Sequence, residues 1–260
     1  MIMLRDTLAL LSGALSGFSL GVVGGGGSVL ATPLLLYLVG LAPAHVAIGT
    51  GAVAVSVNAY VSFFSQIGSG RIRWRAAVLF ALIGTIGAFI GSTLGKSLNG
   101  DKIIFLFGFA MVGIGLTMLR PIHAEKMDAD ADTRFSTIIL AALAVGLAAG
   151  FFGIGGGVLV VPGLVLATGM PMINAVATSL LAVGTFGLTT AINYAVSGLI
   201  DWRIALEFIL GGIMGGFLGV KAAYFLSRYK GALNKAFSLL IFSVAAYVLF
   251  RSGQSLVNVQ

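Results

Sequence analysis

Gly153-Ile-Gly-Gly-Gly-Val-Leu-Val-Val-Pro162 is the stretch that decides the fold, because the chain carries it twice. Gly21-Val-Val-Gly-Gly-Gly-Gly-Ser-Val-Leu-Ala-Thr-Pro33 aligns without a gap with Gly150-Phe-Phe-Gly-Ile-Gly-Gly-Gly-Val-Leu-Val-Val-Pro162, with seven of thirteen positions identical. Further on, Ser69-Gly-Arg-Ile-Arg-Trp-Arg75 aligns with Ser197-Gly-Leu-Ile-Asp-Trp-Arg203. Gly84, Gly87, Phe89 and Gly91 align with Gly212, Gly215, Phe217 and Gly219. Three matches in the same order at nearly constant offset mark an internal duplication.

The material between these matches is apolar. Of the 260 residues, 58% are hydrophobic and 9% charged, against about 25% charged in a soluble domain. Mean hydropathy is +1.09. Such a chain lacks the polar groups to cover its own surface, so its solvent is lipid. Apolar helices are expected at 7–23, 27–39, 43–68, 74–97, 102–120, 137–152, 156–168, 172–198, 203–227 and 232–251. Roughly 20 apolar residues span a bilayer. The segments 43–68, 74–97, 172–198 and 203–227 are long enough, whereas Leu30–Val39 and Val158–Thr168 are too short to cross as straight helices. The expected architecture is all-α and polytopic: a first repeat over 1–120, a polar linker over 121–136 and a second repeat over 137–260. The run at 1–25 resembles a signal peptide. Its pattern recurs at 137–153, in mid-chain, so the first segment is expected to be retained.

Five segments per half is an odd number. If the first two both cross, or together form a re-entrant hairpin, the second half inserts upside down, as in many secondary transporters. If only one of the two crosses, the repeats are parallel. With the N-terminus outside, inner loops hold nine Lys/Arg (Arg71, Arg73, Arg75, Arg120, Lys126, Arg134, Arg228, Lys230, Lys235) against five outside (Arg5, Lys96, Lys102, Arg203, Arg251), which favours that orientation. Trp74 and Trp202 sit at equivalent helix starts, where interfacial tryptophans belong.

Several functions are disfavoured. The chain has no Cys and two His, far apart in sequence, so thiol chemistry and a His/Cys metal site have no carriers. No nucleophile–base pair stands at useful spacing, so no enzyme activity or cofactor is expected. The net charge of +7 comes from loops between apolar segments, where topology and anionic headgroups explain it better than nucleic acid does.

The glycine clusters carry the chemistry. Gly24, Gly25, Gly26 and Gly27, with Ser28 after them, and Gly153, Gly155, Gly156 and Gly157 each join two short apolar segments. Glycines permit a sharp turn. A helix starting there offers unpaired N–H groups and the positive end of its dipole, which bind anions without a charged side chain. In hydrocarbon, an unpaired N–H costs several kcal/mol, so bare backbone at that depth needs a polar partner. No Gly-Lys-Ser/Thr follows either run, which argues against nucleotide binding. The ladders Gly13/Gly17/Gly21, Gly87/Gly91 and Gly215/Gly219 read instead as helix packing. Pro33 and Pro162 bend the second segments.

The third segments hold most of the remaining polar groups. Thr50, Asn58, Thr178 and Ser179 are the preferred pathway-lining residues, with Thr50 paired to Ser179 and His45 to Asn174 in the repeat. His45 reads as an interfacial structural residue with proton handling as the alternative, Lys221 as a snorkelling one with anion contact as the alternative, and Asp201, Arg203 and Glu207 as an ion cluster at a helix start. No acidic residue lies in mid-helix, so a carboxylate proton relay has no obvious carrier.

Gly-x-Gly-Gly-Gly-x-x-x-x-Pro, at Gly153 to Pro162 and in variant form at Gly24 to Pro33, resembles the TauE/SafE sulfite exporter family. So do the two-half layout, the length and the polar mid-chain loop. The resemblance implies an inner-membrane permease for sulfite, sulfate, thiosulfate or organosulfonates. The family motif carries over fully to Gly153, Gly155, Gly156, Gly157 and Pro162; Gly25 and Ser28 depart from it in the first copy. The function expected is a secondary transporter of small anions working by alternating access, with an anion channel as the alternative. Its partners are the solute and the bilayer, with a homodimer left open.

Overall fold

The computed structural model describes residues 2–23, 28–119, 131–153, 155–226, 239 and 241–251. The described residues form ten helices and no strand: α1 (Ile2–Val23), α2 (Ser28–Leu38), α3 (Ala44–Gln66), α4 (Trp74–Lys96), α5 (Gly100–Leu119), α6 (Ala131–Phe152), α7 (Gly157–Thr168), α8 (Met172–Val196), α9 (Trp202–Leu226) and α10 (Ile241–Arg251). Four are long and apolar enough to cross a membrane: α3 with its 3₁₀ extension to Ser69, α4, α8 and α9. α1 begins at Ile2 and α6 at Ala131, so helix runs into stretches that the hydropathy pattern leaves outside the helices.

The outward faces are unsuited to water. On α4, Leu82, Ile86, Phe89 and Ile90 are exposed, and on α9, Leu206, Leu210, Met214, Phe217 and Leu218. An apolar band on that scale needs lipid or protein against it. The inward faces of the same helices are stripes of small residues. Gly84, Gly87, Gly91 and Gly95 of α4 lie against the α6 backbone at Ala142, Leu143, Leu147 and Phe151. Gly13, Gly17 and Gly21 of α1 lie against the α9 backbone at Phe208, Gly212 and Gly216. A methyl group would overlap partner backbone at each of these glycines except Gly84, where it would overlap the Phe186 ring of α8, which is why these ladders need glycine. Residue numbers rise together along both contacts, so α1 runs parallel to α9 and α4 parallel to α6.

α3 and α8 form the buried centre and run antiparallel. Gly49 meets Tyr194, Ser56 Oγ donates to the Gly184 carbonyl at 2.8 Å, and Tyr60 Oη lies 3.2 Å from Thr185 Oγ1. Each of these two helices also holds a loop of the other half. The Asp201 amide donates to Thr50 Oγ1 at 2.9 Å, and the Arg73 amide donates to Thr178 Oγ1 at 3.1 Å. Adding 128 to the lower number of either bond gives the higher number of the other. Pro43 and Pro171, the residues ahead of α3 and α8, share that offset. The structural repeat therefore pairs Thr50 with Thr178 and His45 with Ile173. That is one residue off the pairing read from the glycine motif, because the connection into α3 is one residue longer.

The first helix of each half thus packs on the fourth helix of the other, and the third helices cross at the middle with equivalent directions opposed. The halves exchange partners and do not form separate bundles.

Candidate functional site

The second glycine turn lies where α6 hands over to α7. Gly153, Gly155 and Gly156 have φ of 67°, 63° and 75°. An L side chain costs about 1–2 kcal/mol in that left-handed region, so three such positions close together select glycine. The turn sits against the centre of the bundle. Gly155 faces Val55 of α3 and Gly187 of α8, Gly156 faces Ala149 and Phe186, and Gly153 faces Ile48. Val55 and Val183 are near mid-length in α3 and α8, so Gly155 sits near the middle of the buried pair, while Gly153 lies by Ile48, about one turn from the start of α3. The sides where Cβ atoms would project are filled largely with apolar groups.

Those amides follow from the helix geometry. Gly156 caps α7, and Leu159 and Val160 both donate to its carbonyl at 2.9 Å. The amides of Gly157 and Val158 come before these donors and have no acceptor within α7. Pro162 lies inside α7, which ends at Gly169 with φ of 67°. In the other half, Gly24, Gly25, Gly26 and Gly27 lie outside the described residues. Ser28, which opens α2, is fully buried. After Pro33, α2 widens to a π turn over Leu34–Leu38, with the Val39 amide donating to the Leu34 carbonyl at 3.0 Å. π turns concentrate at functional sites.

The four side-chain candidates are not gathered together. Thr50 and Thr178 each accept a loop amide, and they sit on opposite sides of the Ser56–Gly184 crossing. Each is six residues from it, so they are about 18 Å apart along the pair at 1.5 Å per residue. Ser179 Oγ donates to the Val176 carbonyl one turn back, at 2.8 Å. Asn58 differs: it is buried against Gly212 of α9, and its Oδ1 has no partner. Its counterpart at offset 128 is Phe186, which lies against Gly84 of α4 and against Gly156. One half therefore presents an amide at the position where the other presents an aromatic ring. The Asn58/Phe186 contrast is readable in the sequence once the offset is known. Thr32 Oγ1, beside Gly51 of α3, is also buried without a partner. Sequence reasoning missed it because one threonine in a short apolar helix gives no signal.

The charged side chains around this centre belong to helix ends. Arg203 pairs with Asp6 at 2.6 Å and with Glu207 at 3.5 Å, while Asp201 Oδ1 accepts the Ile204 amide at 3.2 Å and so caps α9. Lys221 is exposed on the outer face. No group of three or more metal-ligating side chains occurs among the described residues. The arrangement suits a small solute held by backbone amides and neutral side chains.

A family profile described as "Sulfite exporter TauE/SafE" matches residues 9–248. The chain belongs to this family. A "probable membrane transporter protein" of Xylella fastidiosa (strain 9a5c) is 53% identical over 250 residues, covering 95% of each chain. The "probable membrane transporter protein YunE" of Bacillus subtilis (strain 168) is 29% identical over 230 residues, covering 80% of this chain and 84% of the relative. No solved structure matches. With this TauE/SafE membership and its apolar helices, the protein is a membrane transporter.

Proposed function

We propose that the protein is a secondary transporter that moves small sulfur-containing anions, of the sulfite, sulfate, thiosulfate or organosulfonate type, across the cell's inner membrane by alternating access. The observation that carries this reading is the left-handed Gly153–Gly156 turn set against the middle of the α3–α8 crossing. A helix start at that depth supplies main-chain donors and a positive dipole end, and a mobile anion satisfies them without a permanent counter-charge. The family's description names sulfite, which fixes the class of solute to test first. The reversed directions of α3 and α8 support an inverted repeat in the membrane, with α1 and α9 starting on one face and α4 and α6 on the other.

The packing also suggests which bodies move. Interfaces in which glycine meets backbone resist sliding, because any register shift drives a side chain into the partner helix. The rigid units are therefore α1 with α9 and α4 with α6, each drawing one helix from either half. Access alternates as these two units rock about the α3–α8 crossing.

Reconstituted protein should take up sulfite with saturation and show counterflow when preloaded with unlabelled anion. Conductance far above carrier turnover, without counterflow, would convict the carrier reading in favour of a channel. Gly156→Leu should insert in the membrane and lose uptake; normal uptake in that variant would remove the glycine turn from the mechanism.

A further inference from the structure

At one end of the α3–α8 pair, three groups meet that the central site does not use. His45, at the start of α3, places Nε2 2.9 Å from the Leu98 carbonyl. A carbonyl only accepts, so Nε2 carries a proton and the neutral ring has a lone pair at Nδ1. That Nδ1 is buried and has no partner. Tyr194 of α8 is fully buried with its ring centroid 6.1 Å from that of His45, and its hydroxyl also has no partner. Lys96 of α4 places Nζ 5.9 Å from the Tyr194 ring and donates to the Asn193 carbonyl and to Ser197 Oγ, each at 2.9 Å. Two orphaned polar atoms beside a cation make an incomplete site, since buried polar groups otherwise find partners.

We propose that His45, Tyr194 and Lys96 form a proton-linked anion subsite at one end of the transport path, in which an oxyanion binds together with a proton on His45. The subsite extends the anion-transport reading above and depends on it. In the neutral state the Nδ1 lone pair repels an anionic oxygen. Once protonated, His45 donates from both nitrogens, the Tyr194 hydroxyl is a second donor and Lys96 supplies charge. Histidine is the side chain suited to this exchange near neutral pH.

Among the described side chains, the only other titratable group in contact with the His45 ring is Tyr194. Gly100, at the head of α5, touches the His45 ring. Asp101 and Lys102 follow it on that helix, and on the α8–α9 side the charged residues are Asp201 and Arg203. The carboxylate of Asp201 is engaged as the α9 cap, and Arg203 pairs with Asp6 and Glu207. At the opposite end of the pair, offset 128 replaces His45, Tyr194 and Lys96 with Ile173, Gln66 and Tyr224. Proton linkage is thus built into one end alone.

The test uses full-length purified protein with sulfate and methanesulfonate, neither of which changes charge between pH 5.5 and 8. Calorimetry in two buffers of different ionisation enthalpy should show proton uptake on anion binding at the alkaline end of this range. Affinity should fall as pH rises. His45→Gln keeps a donor to Leu98 and removes the titration, so binding should become independent of pH with no proton taken up. Tyr194→Phe keeps the ring and should weaken binding at pH 5.5 while leaving the pH dependence in place. If wild type and His45→Gln share one pH profile, the subsite is refuted and the central site stands. If neither anion binds the wild type at any pH, the anion-transport reading fails and the subsite with it.

Discussion

Gly156→Ala and Gly169→Ala form a matched pair that isolates what the central turn contributes. Both glycines are left-handed, with φ of 75° and 67°, so alanine costs about 1–2 kcal/mol at either from backbone conformation alone. The surroundings differ. A Cβ on Gly169 meets nothing within 4 Å, whereas one on Gly156 comes 2.5 Å from Ala149 Cβ and 3.1 Å from the Phe186 ring. Carbon atoms settle at about 3.5–4.0 Å, so the turn and α6 must part by roughly 1 Å. α6 has no room to retreat, because its next residue, Gly150, is seated on the α4 backbone at Ala88. Overpacking of this kind costs about 1–3 kcal/mol. Gly156→Ala should therefore lose about 2–5 kcal/mol in total and Gly169→Ala about 1–2. Thermal unfolding of the detergent-solubilised variants, with sulfite uptake measured in parallel, reads the difference. Gly169→Ala should keep its uptake and Gly156→Ala should lose most of it. Equal losses of stability would refute the packing argument, and undiminished uptake by Gly156→Ala would refute the turn's place in the site.

Asn58→Leu should raise stability by about 1–3 kcal/mol, since it removes a buried carbonyl with no partner, while sulfite uptake falls. A variant that loses both stability and uptake would mark Asn58 as structural. Thr50→Val and Thr178→Val should each lose about 1 kcal/mol by releasing a loop amide. Their effects should add in the double variant, because the two sites share no partner; denaturation in mixed micelles measures both. Gly17→Ile should prevent α1 from seating on Gly212 and leave little folded protein by size-exclusion chromatography, whereas Gly113→Ala, where nothing lies within 4 Å, should be tolerated.

Much of the fold is legible in the residues, for identifiable reasons. Apolar runs bounded by Gly, Pro and Arg place most helices within a few residues, because lipid forces each span to close its own hydrogen bonds. The duplication is legible because close contact, with partner backbone at Gly91 and Gly219 and with the Phe186 and Asn58 side chains at Gly84 and Gly212, leaves room only for glycine. What the residues conceal is who packs on whom. Nothing in Gly13, Gly17 and Gly21 says that their partner is α9, since small-residue stripes fit any similar stripe. The bend at Gly153–Gly156 follows from its run of glycines ahead of the short α7. The separation of Thr50 from Thr178 does not, because it depends on α3 and α8 crossing antiparallel. The starts of α1 and α6 were obscured by Arg5 and Asp6 and by Asp132 and Arg134, polar residues that a helix end at a membrane surface accommodates.

The exchange of partners between halves has a consequence for biosynthesis. α1 leaves the ribosome well before α9, yet the backbone groove that receives it belongs to α9, and everything from residue 24 to residue 201 must be made before that groove exists. α4 waits only for α6, the next long segment but one. The α4–α6 contact can therefore close before the α1–α9 contact does, and until α9 is made the glycine-lined flank of α1 lacks the partner it has in the finished protein.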